Sequence, residues 1–141
     1  MILYLGSSSL VKLYLQEPYS DVVREWVREA EIVATCRVAY TETISALDIR
    51  FRNGDLSDAD YERIVKGFSK DWANFAIVDF DEVEAGSLVK KHGLRRFDAM
   101  HLSAALLIKR VRGDIALCFS SLDERLCRAA VSEGLKVLRF D

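Results

Sequence analysis

Ile2-Leu3-Tyr4-Leu5-Gly6-Ser7-Ser8-Ser9-Leu10-Val11-Lys12-Leu13-Tyr14 opens on a short apolar run, breaks at a glycine and three serines, and resumes with Leu10, Leu13 and Tyr14 at helical spacing. The stretch reads as strand, turn, helix. The same unit recurs along the chain. After a turn at Glu17–Pro18, Ser20–Glu29 reads as an amphipathic helix, Ile32–Thr35 as a second strand, and Val38–Arg52 as a long helix ending at Asn53–Gly54. Ser57 is placed to cap the next helix, with Asp60 in a capping-box-like position, and the pattern runs to about Asn74. Ile77–Phe80 is a third strand, Asp81–His92 a helix closed by Gly93, Phe97–Arg112 a nearly all-apolar helix and Ala116–Phe119 a fourth strand. Asp123–Glu133 is a last helix and Val137–Phe140 a final strand. Short strands separated by helices argue for parallel pairing, because parallel neighbours need crossover connections. The expected fold is α/β, a three-layer α/β/α sandwich with a mainly parallel sheet of about five strands and a helical pair inserted at about 37–74.

Composition bounds the rest. At 141 residues, 50% hydrophobic and 30% charged, the chain has the make-up of one ordinary globular domain, expected to span 1–141. One proline and seven scattered glycines mark no linker or repeat. The longest apolar runs are too short to cross a bilayer, and Met1 leads into a strand with no basic leader, so a cytoplasmic protein without membrane contact is expected. Cys36, Cys118 and Cys127 are irregularly spaced and are expected to be buried thiols, not a zinc site. A net charge of −2 excludes nucleic-acid binding through overall positive charge, which leaves only a local basic patch.

In a parallel α/β sheet, functional side chains gather beyond the carboxyl ends of the strands. Four positions lie there: Gly6 after strand one, Glu42 one turn into the third helix, Asp98 at the start of the apolar helix, and Asp123 after strand four. Three are carboxylates. Glu42 and Asp98 stand among apolar neighbours, where a carboxylate needs a cation, hydrogen bonds or a metal. Clustered carboxylates of this kind suit Mg²⁺ or Mn²⁺, hard ions that accept oxygen ligands and retain water, and the chemistry implied is metal-assisted phosphodiester hydrolysis. Each residue also has an ordinary reading. Asp98 and Asp123 are placed to cap helices, and Glu42 is placed to pair with Arg37 or Arg95. His101, three residues beyond Asp98 on the same helix face, reads as a packed, hydrogen-bonded residue, not a base. The Tyr61, Phe68, Trp72 and Phe75 stripe reads as core or interface.

The opening stretch resembles that of PIN-domain toxins of the VapC type, whose motif places Asp-Thr/Ser-Ser between the first strand and helix. Tyr40-Thr41-Glu42 resembles their internal Glu motif, Arg96-Phe97-Asp98-Ala99-Met100-His101-Leu102 their central Asp motif, and Ser121-Leu122-Asp123-Glu124-Arg125-Leu126 their final Ser/Thr-x-Asp motif. The four stand in family order along the whole chain. The resemblance implies an endoribonuclease with Glu42, Asp98 and Asp123 as catalytic and metal-holding residues and Ser8 and Ser121 in support. It further implies an Mg²⁺ or Mn²⁺ cofactor, an RNA substrate that Arg95 and Arg96 are placed to hold, a cognate antitoxin seated near the N-terminal helices, and a homodimer.

Where the family has its first aspartate, this sequence has Gly6. Metal binding and cleavage are therefore expected to be weakened or lost, and a catalytically dead binding module for antitoxin or RNA is the alternative function. A single base change converts Asp to Gly, so a disabling mutation and natural degeneracy are both open origins, which the codon in the native gene distinguishes. A receiver-like phosphotransfer domain fits poorly, because no acid follows strand one and no lysine follows strand four at the expected place.

Overall fold

The computed structural model describes residues 1–140. The chain runs β1 (Ile2–Leu5), α1 (Ser7–Leu10), a 3-10 turn (Val11–Leu13), α2 (Ser20–Glu29), β2 (Ile32–Cys36), α3 (Ala39–Arg52), α4 (Asp58–Trp72), β3 (Ala76–Val78), α5 (Glu82–His92), α6 (Arg96–Val111), β4 (Leu117–Ser120), α7 (Glu124–Ser132) and β5 (Lys136–Val137). The strands lie in the order β3-β2-β1-β4-β5, with every neighbouring pair parallel. The fold is the α/β three-layer sandwich expected from the strand–helix alternation.

All of β1 is buried, and its side chains alternate between two cores as strand geometry requires. Ile2 and Tyr4 join Leu88 of α5, Leu102 of α6 and Leu126 of α7 on one face. Leu3 and Leu5 join Leu10, Val23 of α2, Ala39 of α3 and Phe68 of α4 on the other. The inserted pair α3 and α4 closes a third cluster around Leu47, Tyr61, Ile64 and Val65, with Phe51 stacked on Tyr61 at 4.4 Å. Phe68, the centre of the aromatic stripe, is fully buried against Tyr14, Tyr40 and Trp72, so that stripe is mainly core.

Local signals end the helices where they should. Ser57 caps α4 by accepting from the Asp60 amide at 3.1 Å. Gly93 closes α5 with φ 66°, a left-handed conformation that favours glycine, and so turns the chain into α6. Two elements differ from their expected form. The helix expected after Gly6 is one α turn followed by a 3-10 turn, because the Ser20 hydroxyl takes the Leu15 carbonyl (2.8 Å) and folds the chain back into α2. The last strand is Lys136–Val137 instead of Val137–Phe140. Leu138 still donates to Phe119, but Phe140 leaves the sheet to pack on Tyr19 and Trp26.

The strand order reverses between β1 and β4. From these adjacent strands α1 departs to one face and α7 to the other, which opens a crevice at their carboxyl ends. Gly6 and the Ser121–Asp123 loop stand at its edge. The three cysteines are buried and free, and among the described residues no helix is long and apolar enough to cross a membrane.

Candidate metal centre

A cleft of about 580 Å³ occupies that crevice, and Gly6, Glu42, Arg95, Asp98, His101 and Asp123 are among its lining residues. Helices α3 and α6 and the turns after β1, α5 and β4 deliver these residues. The residues singled out in the sequence therefore share one cavity, although they come from both layers of helices.

Asp98 lies in the first turn of α6, but it does not cap the helix. The cap position is Arg95, which makes no side-chain capping bond, so Asp98 is left free to face the cleft. Asp123 does both. Its Oδ1 caps α7 by accepting from the Leu126 amide (2.8 Å), and its Oδ2 accepts from Arg95 Nη2 (2.8 Å). Arg95 Nε also donates to Asp98 Oδ2 at 3.3 Å, so one guanidinium bridges two carboxylates from different elements. Burial, and then the charge of Asp123, push the Asp98 carboxyl above its usual range, while Arg95 opposes the shift. In turn, Asp98 and Asp123 raise the Arg95 guanidinium.

Glu42 lies in the first turn of α3. Its partner is neither Arg37, which pairs with Asp79 at 3.2 Å, nor Arg95. Instead, His101 Nε2 stands 2.7 Å from Glu42 Oε1, and the other ring nitrogen, Nδ1, stands 2.7 Å from the Tyr4 hydroxyl. His101 is indeed packed and hydrogen-bonded, at 1% exposed. Its contacts with Glu42 and Tyr4 join residues 59 and 97 positions away, which helix spacing alone does not bring together. A signal was available for Tyr4, since alternation along β1 puts it on the same side as Gly6.

The serines lock the loops around the acids. Ser8 Oγ accepts from the Leu122 amide (3.0 Å) and lies 3.4 Å from Ser121 Oγ, which accepts from the Asp123 amide (3.1 Å). Behind them Ser9 and Ser120 join hydroxyls at 2.7 Å. Gly6 itself has φ −67° and ψ 160°, extended backbone open to any residue, so its conformation does not require glycine. Arg96 is exposed at the cleft rim beside Phe97.

The donor set fits a hard divalent cation. One guanidinium already serves Asp98 and Asp123 together, and burial first, then the charge of Asp123, raises the Asp98 carboxyl against the opposing Arg95. Among the described residues no three His, Cys, Asp or Glu side chains stand close enough together to hold a metal ion, so Glu42, Asp98 and Asp123 share the cleft without forming a three-donor cluster. An open site suits Mg²⁺, which is commonly held by one or two carboxylates and keeps several waters.

The PIN domain family profile matches residues 3–132. Ribonuclease VapC45 of Mycobacterium tuberculosis is 30% identical over 139 residues, which cover 96% of this chain and 94% of that protein. The crystal structure of PAE2754 from Pyrobaculum aerophilum superposes with a TM-score of 0.66 at 17% identity, covering 97% of this chain and 89% of its own. FitAcB from Neisseria gonorrhoeae gives a TM-score of 0.66 at 16% identity over 99% of this chain and 98% of that one.

Proposed function

The chain belongs to the PIN-domain family as a VapC-type nuclease, and we propose that its cleft cleaves RNA by metal-assisted phosphodiester hydrolysis with Asp98, Asp123 and Glu42 holding Mg²⁺ or Mn²⁺. The observation that carries this reading is the Arg95 guanidinium bridging Asp98 and Asp123 in the cleft that Glu42 also lines. When bound, the divalent ion supplies charge neutralisation at the scissile phosphate and acidifies the attacking water.

The chain's own residues do the rest. Asp98 and Asp123 present anionic oxygens from the starts of α6 and α7. Ser121 holds the Asp123 backbone, and Ser8 ties that loop to α1, so the two aspartates keep their spacing as substrate arrives. Arg95 is 79% exposed and anchored only at its tip, which leaves it free to exchange its carboxylates for a phosphate when a metal takes its place. Arg96 is a second phosphate contact at the rim. These two residues are the local basic patch that a chain of net charge −2 requires.

Position 6 is where the site is weakest. Glycine contributes no ligand where the family has its first aspartate, so this chain holds the metal loosely and cleaves slowly. The same position favours a second reading, a binding module that retains the antitoxin and RNA surfaces without turnover. For the antitoxin, exposed Tyr19 and Leu122, with Leu138 and Phe140, line a groove that Ser121, Glu124 and Arg139 make partly polar. Exposed Ile49 and Phe97 beside the cleft offer apolar surface for a homodimer.

An RNA-cleavage assay with the Gly6→Asp chain tests the nuclease reading. Cleavage is expected in Mn²⁺ and is abolished by EDTA; cleavage that survives EDTA contradicts the reading, and no cleavage at all favours the binding module. Arg95→Ala is expected to tighten Mn²⁺ binding several-fold, by removing a competing cation whose solvent-exposed ion pairs are weak. Unchanged Mn²⁺ affinity in titration calorimetry would show that Arg95 does not compete for the site.

A further inference from the structure

Glu42 is held unlike the two aspartates. They face an exposed arginine, whereas Glu42 is tied to a side chain buried in the core. His101 is 1% exposed, Tyr4 is fully buried, and both contacts in the series Tyr4–His101–Glu42 are 2.7 Å. The series draws on β1, α6 and α3. The Tyr4 ring is itself immobilised, stacked on Phe119 at 5.3 Å with planes 6° apart, and it meets the imidazole edge-on at 5.8 Å. Such a buried polar series carries a desolvation cost that apolar side chains of the same shape would not.

We infer that Tyr4 and His101 are a positioning pair for the nuclease reaction: the phenol fixes the imidazole tautomer, and the imidazole holds the Glu42 carboxylate in the cleft. The inference rests on the nuclease reading of Glu42 given above. Burial keeps the phenol protonated, with its pKa well above the ordinary range, so its O–H donates to Nδ1. Nε2 then carries the ring proton and donates to Glu42 Oε1. With Oε1 committed, the carboxylate can no longer rotate freely, and Oε2, which has no protein partner among the described residues, is the oxygen left for the cleft. Ser7 Oγ, 3.5 Å from Nε2, closes the series on the α1 side. Outer partners of this kind typically contribute 10- to 100-fold to metal affinity or rate.

The test uses the full chain for binding and spectroscopy and the Gly6→Asp chain for cleavage. Long-range ¹H–¹⁵N NMR of the His101 ring is expected to show a proton on Nε2; a ring protonated only on Nδ1 overturns the inference. Tyr4→Phe is expected to keep the fold and to lower Mn²⁺ affinity or kcat about 10-fold with little change in KM. His101→Leu should lose on the order of 100-fold, and His101→Gln, whose amide can still donate to Glu42, should recover most of it. If Tyr4→Phe and His101→Leu lower thermal stability but leave Mn²⁺ affinity and kcat at parental values, the pair is packing only and the inference fails. Should the Gly6→Asp parent itself not cleave RNA, the nuclease reading fails separately, while ring tautomer and Mn²⁺ affinity still decide whether the pair holds Glu42.

Discussion

Gly6→Asp raises Mg²⁺- or Mn²⁺-dependent RNA cleavage by on the order of 100-fold or more, because a catalytic metal contributes several kcal/mol to transition-state stabilisation and a missing anionic ligand forfeits part of it. The backbone conformation accepts the change. Extended backbone at residue 6 imposes no strain on an L side chain. A Cβ there would stand 3.3 Å from the Ser120 backbone carbonyl oxygen, which accepts from the residue 6 amide, and 3.5 Å from Ser121 Cβ, a tight contact that requires this backbone to give by a few tenths of an ångström. The new carboxylate would share the cleft with Asp98, Asp123 and Glu42, so like-charge repulsion should lower the metal-free melting temperature slightly while added Mn²⁺ raises it. Parallel single-turnover cleavage assays and thermal melts of the two chains check both halves. Equal cleavage rates would remove Gly6 as the reason for weak activity.

Asp98→Asn, made in the Gly6→Asp chain, abolishes cleavage to within measurement, a loss of at least on the order of 100-fold, without unfolding the protein. The separation of activity from stability is the informative part. Asp98 does not cap α6, and its carboxyl is pushed above its usual range by burial and by Asp123. An acid whose folded pKa is raised destabilises the folded state at neutral pH, and that penalty fades as pH falls through the folded pKa toward the unfolded value. Asparagine removes the penalty and also the favourable charge at the helix N-terminus, so stability at neutral pH should change by no more than about 1 kcal/mol in metal-free buffer. Chemical denaturation read beside the cleavage rate separates the cases. A stability loss of several kcal/mol accompanying the lost activity would make Asp98 a folding residue.

The fold was largely legible because its signals are local. An apolar run broken by Gly6 and serines, a cap at Ser57 and a left-handed stop at Gly93 each act within a few residues, and their regular alternation leaves a parallel sheet as the economical solution. The ends of elements were less legible. β5 is short because Phe140 gains more by packing on Tyr19 and Trp26 than by extending the sheet, a tertiary choice invisible in Val137–Phe140. In the site, the acidic positions could be read from motif order, but their partners could not. A cap reading for Asp98 depends on where α6 begins, and that helix begins at Arg96, which makes Arg95 the cap. Arg37 looked available to Glu42 but is taken by Asp79, whereas His101, from a helix far along the chain, arrives only when α6 packs beneath β1 and β2.

Mn²⁺ titration by calorimetry of three chains, the sequence as it stands, Gly6→Asp, and Gly6→Asp with Asp98→Asn, tests most directly whether this cleft is a metal centre missing one carboxylate. The account predicts weak binding to the first chain, about tenfold or tighter binding to the second, and loss of that binding in the third. Equal Mn²⁺ affinity in all three would contradict it, because the ion would then be bound somewhere that neither residue 6 nor Asp98 touches.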